Sequence, residues 1–124
     1  MPLAVSAGLT ALRRLRKERP YARLEELGDR LETGILKAIA ASGVAAQFNR
    51  VGSMFTLFFT AQRVTDFTSA KTCDTQRFNG FFHHMLEAGI YLPPSQFEAA
   101  FLSAAHTTDD IDRTVEVVRK ALAA

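Results

Sequence analysis

The sequence predicts an α+β fold in which helices cover one face of a small, mostly antiparallel sheet. Three observations carry that prediction. Two long segments near the start repeat apolar residues at helical spacing. A middle segment alternates them at strand spacing on either side of Gly52-Ser53. Two later segments open on the capping residues Asp74 and Thr107 and then return to helical spacing. The expected order is α-α-β-β-α-β-β-α, in one domain spanning residues 1–124.

The first helix is predicted from Pro2 to about Arg19, since proline suits a first turn, where its missing N–H costs nothing. Val5, Leu9, Leu12 and Arg16 form its stripe, and Pro20 ends it by disfavouring helix at Arg19. The second helix runs from about Tyr21 to Ser42, with Leu24, Leu27, Leu31, Ile35 and Ile39 on one side and Gly43 as its left-handed close. Ala45 to Val51 and Met54 to Thr60 read as strands, the second with Phe55, Leu57 and Phe59 on a wholly apolar face. Ala61 to Thr72 reads as loop with a short helical turn. Asp74 caps a helix carrying Phe78, Phe81, Phe82, Met85 and Leu86, which stops at Gly89. Ile90-Tyr91-Leu92 is expected as a short strand halted by Pro93-Pro94, Ser95 to Ala99 as loop, and Ala100 to Ala105 as extended. Thr107 with Asp110 forms a capping box for the last helix, whose stripe is Ile111, Val115, Val118 and Leu122. The sheet face away from the helices is left needing a partner.

Composition narrows the functional classes. The chain has 124 residues, 48% of them hydrophobic and 23% charged, enough for a core without disulfides or a structural metal. A lone cysteine, Cys73, excludes an internal bridge and points to a reducing compartment. No apolar run approaches the roughly 20 residues of a membrane helix, and the first residues do not read as a secretory leader, so a cytoplasmic location and no membrane partner are expected. Net charge is only +2, although Arg13, Arg14, Arg16, Lys17 and Arg19 crowd together. Without stacking aromatics or a recognition motif, that run reads as a solvated or domain-facing helix side, and no nucleic-acid partner is expected.

No phosphate loop, dinucleotide fingerprint, nucleophile elbow or paired-histidine zinc motif occurs. His83 and His84 are adjacent, so on a helix they diverge by about 100°. His106 stands apart and Cys73 completes no ligand pattern, so no metal is expected. The stretch from Tyr91 to Phe101 differs in kind. Two prolines stiffen a strand exit, and a loop then offers Ser95, Gln96 and Glu98 among apolar neighbours, the setting in which binding groups concentrate.

That stretch, Tyr91-Leu92-Pro93-Pro94-Ser95-Gln96-Phe97-Glu98-Ala99, together with Ser103-Ala104-Ala105-His106-Thr107 and Asp110-Ile111-Asp112, resembles the C-terminal end of the glutamate-1-semialdehyde 2,1-aminomutase family. Gly52-Ser53-Met54-Phe55 with Phe58-Phe59-Thr60, and Pro2-Leu3-Ala4 with Ala7-Gly8-Leu9, extend the resemblance over the whole chain. It implies the small C-terminal domain of a fold type I enzyme dependent on pyridoxal 5′-phosphate (PLP), of the aspartate aminotransferase kind. That family makes 5-aminolevulinate for tetrapyrrole synthesis, and its members are dimers.

The resemblance also implies that the Schiff-base lysine, the pyridinium partner and the phosphate cup belong to a large domain outside this chain. The expected partners are therefore that large PLP-binding domain and a second copy. No cofactor and no activity are expected of these residues alone. Met1 stands where the family has asparagine, which reads as the start of a separated piece. Lys17, Lys37, Lys71 and Lys120 fall on helices or in a polar loop, none in a desolvating context. Related aminotransferases grip a carboxylate with an arginine near this loop. Here there is none, and Glu98 suits an amine instead, with Ser95 and Gln96 shaping the loop. No catalytic residue is expected within the chain. The alternative is a free-standing interaction module that kept the fold without the chemistry.

Overall fold

A computed structural model describes all residues from Met1 to Ala124. Helix α1 (Pro2–Glu18) starts with proline in its first turn and stops where Arg19 turns left-handed at φ 46°. Pro20 is the reason, since it bars the right-handed helical conformation from the residue before it. Helix α2 (Tyr21–Ser42) follows and is closed by left-handed Gly43. It buries Leu27, Leu31, Ile35 and Ala38, the stripe its spacing predicts shifted slightly at the C-terminal end.

Strands β1 (Gln47–Val51) and β2 (Met54–Phe58) pair antiparallel with Phe48 opposite Leu57, and the tight turn between them places Gly52 at φ 57°. The short β3 (Ala100–Phe101) pairs with the other edge of β2, Ala100 opposite Phe55, giving the order β1-β2-β3. Helices α3 (Phe67–Ala70), α4 (Thr75–Glu87) and α5 (Thr108–Ala123) complete the chain. Asp74 accepts from the Arg77 N–H at 2.9 Å to cap α4. Thr107 and Asp110 exchange the two capping-box hydrogen bonds at the start of α5.

The core lies between helices α2, α4 and α5 and the sheet face that carries Phe48, Leu57 and Phe59. Leu27, Leu31 and Met85 are completely buried there, and the Phe59 and Phe81 rings meet edge to face at 5.4 Å. Burying such side chains is worth about 1.5–3 kcal/mol each, which is what fixes the helices on this face. Helix α1 contributes nothing to it. None of its residues is buried, and Leu3 and Leu12 are 85% and 66% exposed. No helix is long and apolar enough to cross a membrane.

Three expectations need correction. Ile90-Tyr91-Leu92 is not a strand. The Gly89 N–H donates to Leu86 and the Ile90 N–H to Met85, so this backbone is consumed in closing α4, and Pro93-Pro94 offer no donors to a ladder. The extended stretch from Ala100 to Ala105 shrinks to two residues of strand. The order is thus α-α-β-β-α-α-β-α. Nor is the far sheet face bare throughout. The segment after β2 folds back over it, packing Phe58 with Val64, Ala70 and Cys73, while Asn49 donates to the Val64 carbonyl. Only the hairpin end, at Val51, Met54 and Phe101, stays open.

Candidate functional site

The loop between the end of α4 and β3 is where the sequence places its candidates. Pro93 and Pro94 stiffen its entry, and β3 anchors its exit. Ser95 organises the turn: its hydroxyl accepts from the Phe97 N–H at 3.2 Å and its carbonyl from the Glu98 N–H at 3.2 Å. Gln96 is 2% exposed, and its Nε2 donates to the Leu57 carbonyl of β2 at 2.8 Å. Its Oε1 is buried without a partner. The Phe97 ring meets Phe67 of α3 at 5.8 Å, and the Thr56 hydroxyl donates to the Glu98 carbonyl at 3.3 Å.

Held in this way, Glu98 is exposed and enters no salt bridge of the chain. It stands between two hollows. One is an open cleft of about 420 Å³ that also borders Tyr91, Phe101 and His106. The other is a nearly filled apolar slot of about 30 Å³ leading toward Met85 and Phe81. Phe55, Leu92, Pro93 and Thr114 are common walls of both. An anionic group on an apolar rim is suited to a cation that brings aliphatic carbon with it.

Ser95, Gln96 and Glu98 thus share one loop but not one role: Ser95 is half-buried, Gln96 buried and Glu98 exposed. His106, to which the sequence assigned no metal and no site role, borders the same cleft. Its Nδ1 accepts from the Ser103 N–H at 2.9 Å, which leaves the other ring nitrogen as the available one. The Ser103-to-His106 spacing of a local turn was the signal for that contact; nothing in the sequence placed His106 on the same cleft as Glu98.

Elsewhere the chemistry is plain. Burial pushes the Cys73 thiol above its ordinary pKa, away from nucleophilic use. No group of His, Cys, Asp and Glu is arranged to hold a metal ion. Lys17, Lys37, Lys71 and Lys120 are all exposed, so none sits in the desolvated pocket that imine chemistry uses. These four lysines therefore offer PLP no desolvated amine.

No family model matches the chain. Individual proteins do. Over 122 residues, 98% of its length, the chain is 54% identical to glutamate-1-semialdehyde 2,1-aminomutase of Anaeromyxobacter dehalogenans, covering 28% of that protein. It is 55% identical over 99% of its length to that of Sorangium cellulosum, again covering 28%. For Thermus thermophilus the figures are 51%, over 98% of this chain and 29% of that protein. Among solved structures, an omega-transaminase from Sphaerobacter thermophilus superposes with a TM-score of 0.76 over 94% of this chain and 26% of its own, at 23% identity. A transaminase with PLP bound gives 0.78 over 98% and 27%, at 21% identity, so these two carry the fold alone. With about half its residues identical over nearly its whole length, the chain is similar to one segment, under a third of the whole, of these glutamate-1-semialdehyde 2,1-aminomutases.

Proposed function

We propose that this chain is the C-terminal domain of a PLP-dependent glutamate-1-semialdehyde 2,1-aminomutase, folding as a single unit over residues 1–124, and that it supplies the substrate-side wall of an active site completed by a large domain. The complete enzyme would form 5-aminolevulinate for tetrapyrrole synthesis in the cytoplasm, as a dimer. The single observation that carries this reading is the loop: Glu98 is fastened by its backbone at the mouth of an apolar cleft, with its carboxylate unpaired. An unpaired carboxylate there attracts an amine and repels a carboxylate. A diamino intermediate would be held by its second amine, and Ser95 and Gln96 would shape the loop that presents the acid.

The test is Glu98→Gln in the complete enzyme. A charge-assisted hydrogen bond is worth about 1.5–3 kcal/mol, so handling of the diamino intermediate should weaken about ten- to a hundredfold. The thermal midpoint should hold, because the side chain is exposed. Unchanged kinetics would remove Glu98 from the site.

A second reading, an interaction module without catalytic role, draws on α1, whose apolar stripe has no partner within the chain. Mixing the chain with a purified large domain separates the two. Restored aminomutase activity supports the first, and tight self-association with no restored activity supports the second.

A further inference from the structure

We infer that Gln96 is a positioning residue: its buried amide takes the place of a strand at the open edge of β2 and so fixes where Glu98 stands. The inference rests on the reading of Glu98 given above. β3 covers that edge only opposite Met54 and Phe55. Beyond them the chain swings away as the loop, and the carbonyl of buried Leu57 receives the Gln96 Nε2 instead of a backbone donor. Without that amide a buried carbonyl would lose its partner, which folded chains rarely tolerate. The same carbonyl decides which way the amide faces, since a flipped amide would set oxygen against oxygen.

The consequence is the bare Oε1. The unpaired acceptor offsets part of the gain from the one hydrogen bond, so the side chain adds only modestly to folding. What it does add is geometry, two residues from Glu98. Gln96, Phe97 and Glu98 are each fastened to something different: Leu57, the Phe67 ring and the Thr56 hydroxyl. Phe97 and Phe67 are 48% and 64% exposed, whereas Gln96 is 2% exposed, so only the amide contact is shielded from water and rigid in consequence.

Two variants test this. Gln96→Met keeps length and removes donor and acceptor; Gln96→Glu keeps shape but donates only when protonated. In the full chain, Gln96→Met should speed hydrogen exchange of the Glu98 amide by roughly two- to tenfold, the worth of one neutral hydrogen bond. The thermal midpoint should fall by only a few degrees, the cost of one buried carbonyl left without its donor. Gln96→Glu should show the same acceleration over the wild type at neutral pH and lose it as the pH falls and its carboxyl becomes a donor to Leu57. In the complete aminomutase, Gln96→Met should lower kcat/KM about tenfold, and that loss should vanish when Glu98→Gln is already present. Unchanged exchange at Glu98, a large fall in midpoint, or a kinetic loss that adds in full to that of Glu98→Gln would each overturn the inference. If Glu98→Gln alone is kinetically silent, it is the role of Glu98 that fails. The exchange measurement, which involves no chemistry, then still decides whether Gln96 orders the loop.

Discussion

The Arg50 Nε lies 2.9 Å from Glu32, and the same guanidinium also reaches Glu25 and Asp29, so one cation of β1 closes against three acids of α2. Its side chain is only 8% exposed. The approach requires Gly28, where a Cβ would stand 2.6 Å from Arg50 Nη1 and 2.8 Å from the Gly52 carbonyl. This contact sets the hairpin, and through β2 the loop bearing Glu98, against the longest helix.

Arg50→Met should therefore destabilise the fold by about 2–3 kcal/mol, since it leaves three acids facing one another with their shared cation gone. The acids themselves are partly exposed, which keeps the cost below that of a fully buried pair. Glu32→Gln should cost about 1 kcal/mol, because two carboxylates remain. Urea unfolding followed by circular dichroism reads both, and equal losses would refute this account of the cluster.

Gly34 is the close point between α2 and α5. A Cβ there would lie 2.5 and 2.7 Å from the two γ-methyls of Val115. Gly34→Ala should cost about 1–3 kcal/mol by overpacking, despite alanine's better helix propensity. Val115→Ala opens the space, so the double variant should recover most of the Gly34→Ala loss. Additive losses in a double-mutant cycle would show that the helices are not in contact at this point.

The acid limb of stability follows from carboxylates held in their charged form. The hydrogen bond from Arg119 holds Glu116 down to about 2 from its ordinary 4.5. Hydrogen bonds from the Thr107 backbone and hydroxyl lower Asp110, and the Arg30 guanidinium lowers Asp112. Groups whose folded pKa is depressed stabilise above their unfolded pKa and lose that contribution as the pH falls through the folded one. The thermal midpoint should thus be level from neutral pH down to about 5 and fall between about 4.5 and 2. Asp110→Ala, which removes the carboxylate half of the capping box, should lower the plateau and make the acid limb shallower. A limb unchanged in that variant would exclude the cap as a contributor.

Borohydride reduction of the chain in the presence of PLP should give only scattered, substoichiometric labelling. All four lysines are exposed and none is set apart by its surroundings. Peptide mapping that finds one lysine fully modified would overturn this.

Some of this molecule was determined by short stretches of sequence. Arg19-Pro20, Gly43, Asp74 and Thr107 mark helix ends where the structure has them, because caps and left-handed closes depend on backbone groups within about four residues. The stripe of α2 and the alternation of β2 likewise gave the core face, since burial repeats with the period of the element. Val5, Leu9 and Leu12 show the limit of that rule: they keep helical spacing yet stay in solvent, because a stripe is buried only if something packs against it. Ile90 to Leu92 show another, being drawn into the close of α4 by the hydrogen bond from the Ile90 N–H to the Met85 carbonyl. The loop was legible as a candidate, but the placement of its residues was not. Gln96 and Glu98 sit two apart on either side of Phe97, yet one is buried with its amide on the Leu57 carbonyl and the other stands open at the cleft. Only the tertiary structure decided that, because a loop has no period of its own and the carbonyl that captures Gln96 lies 39 residues away.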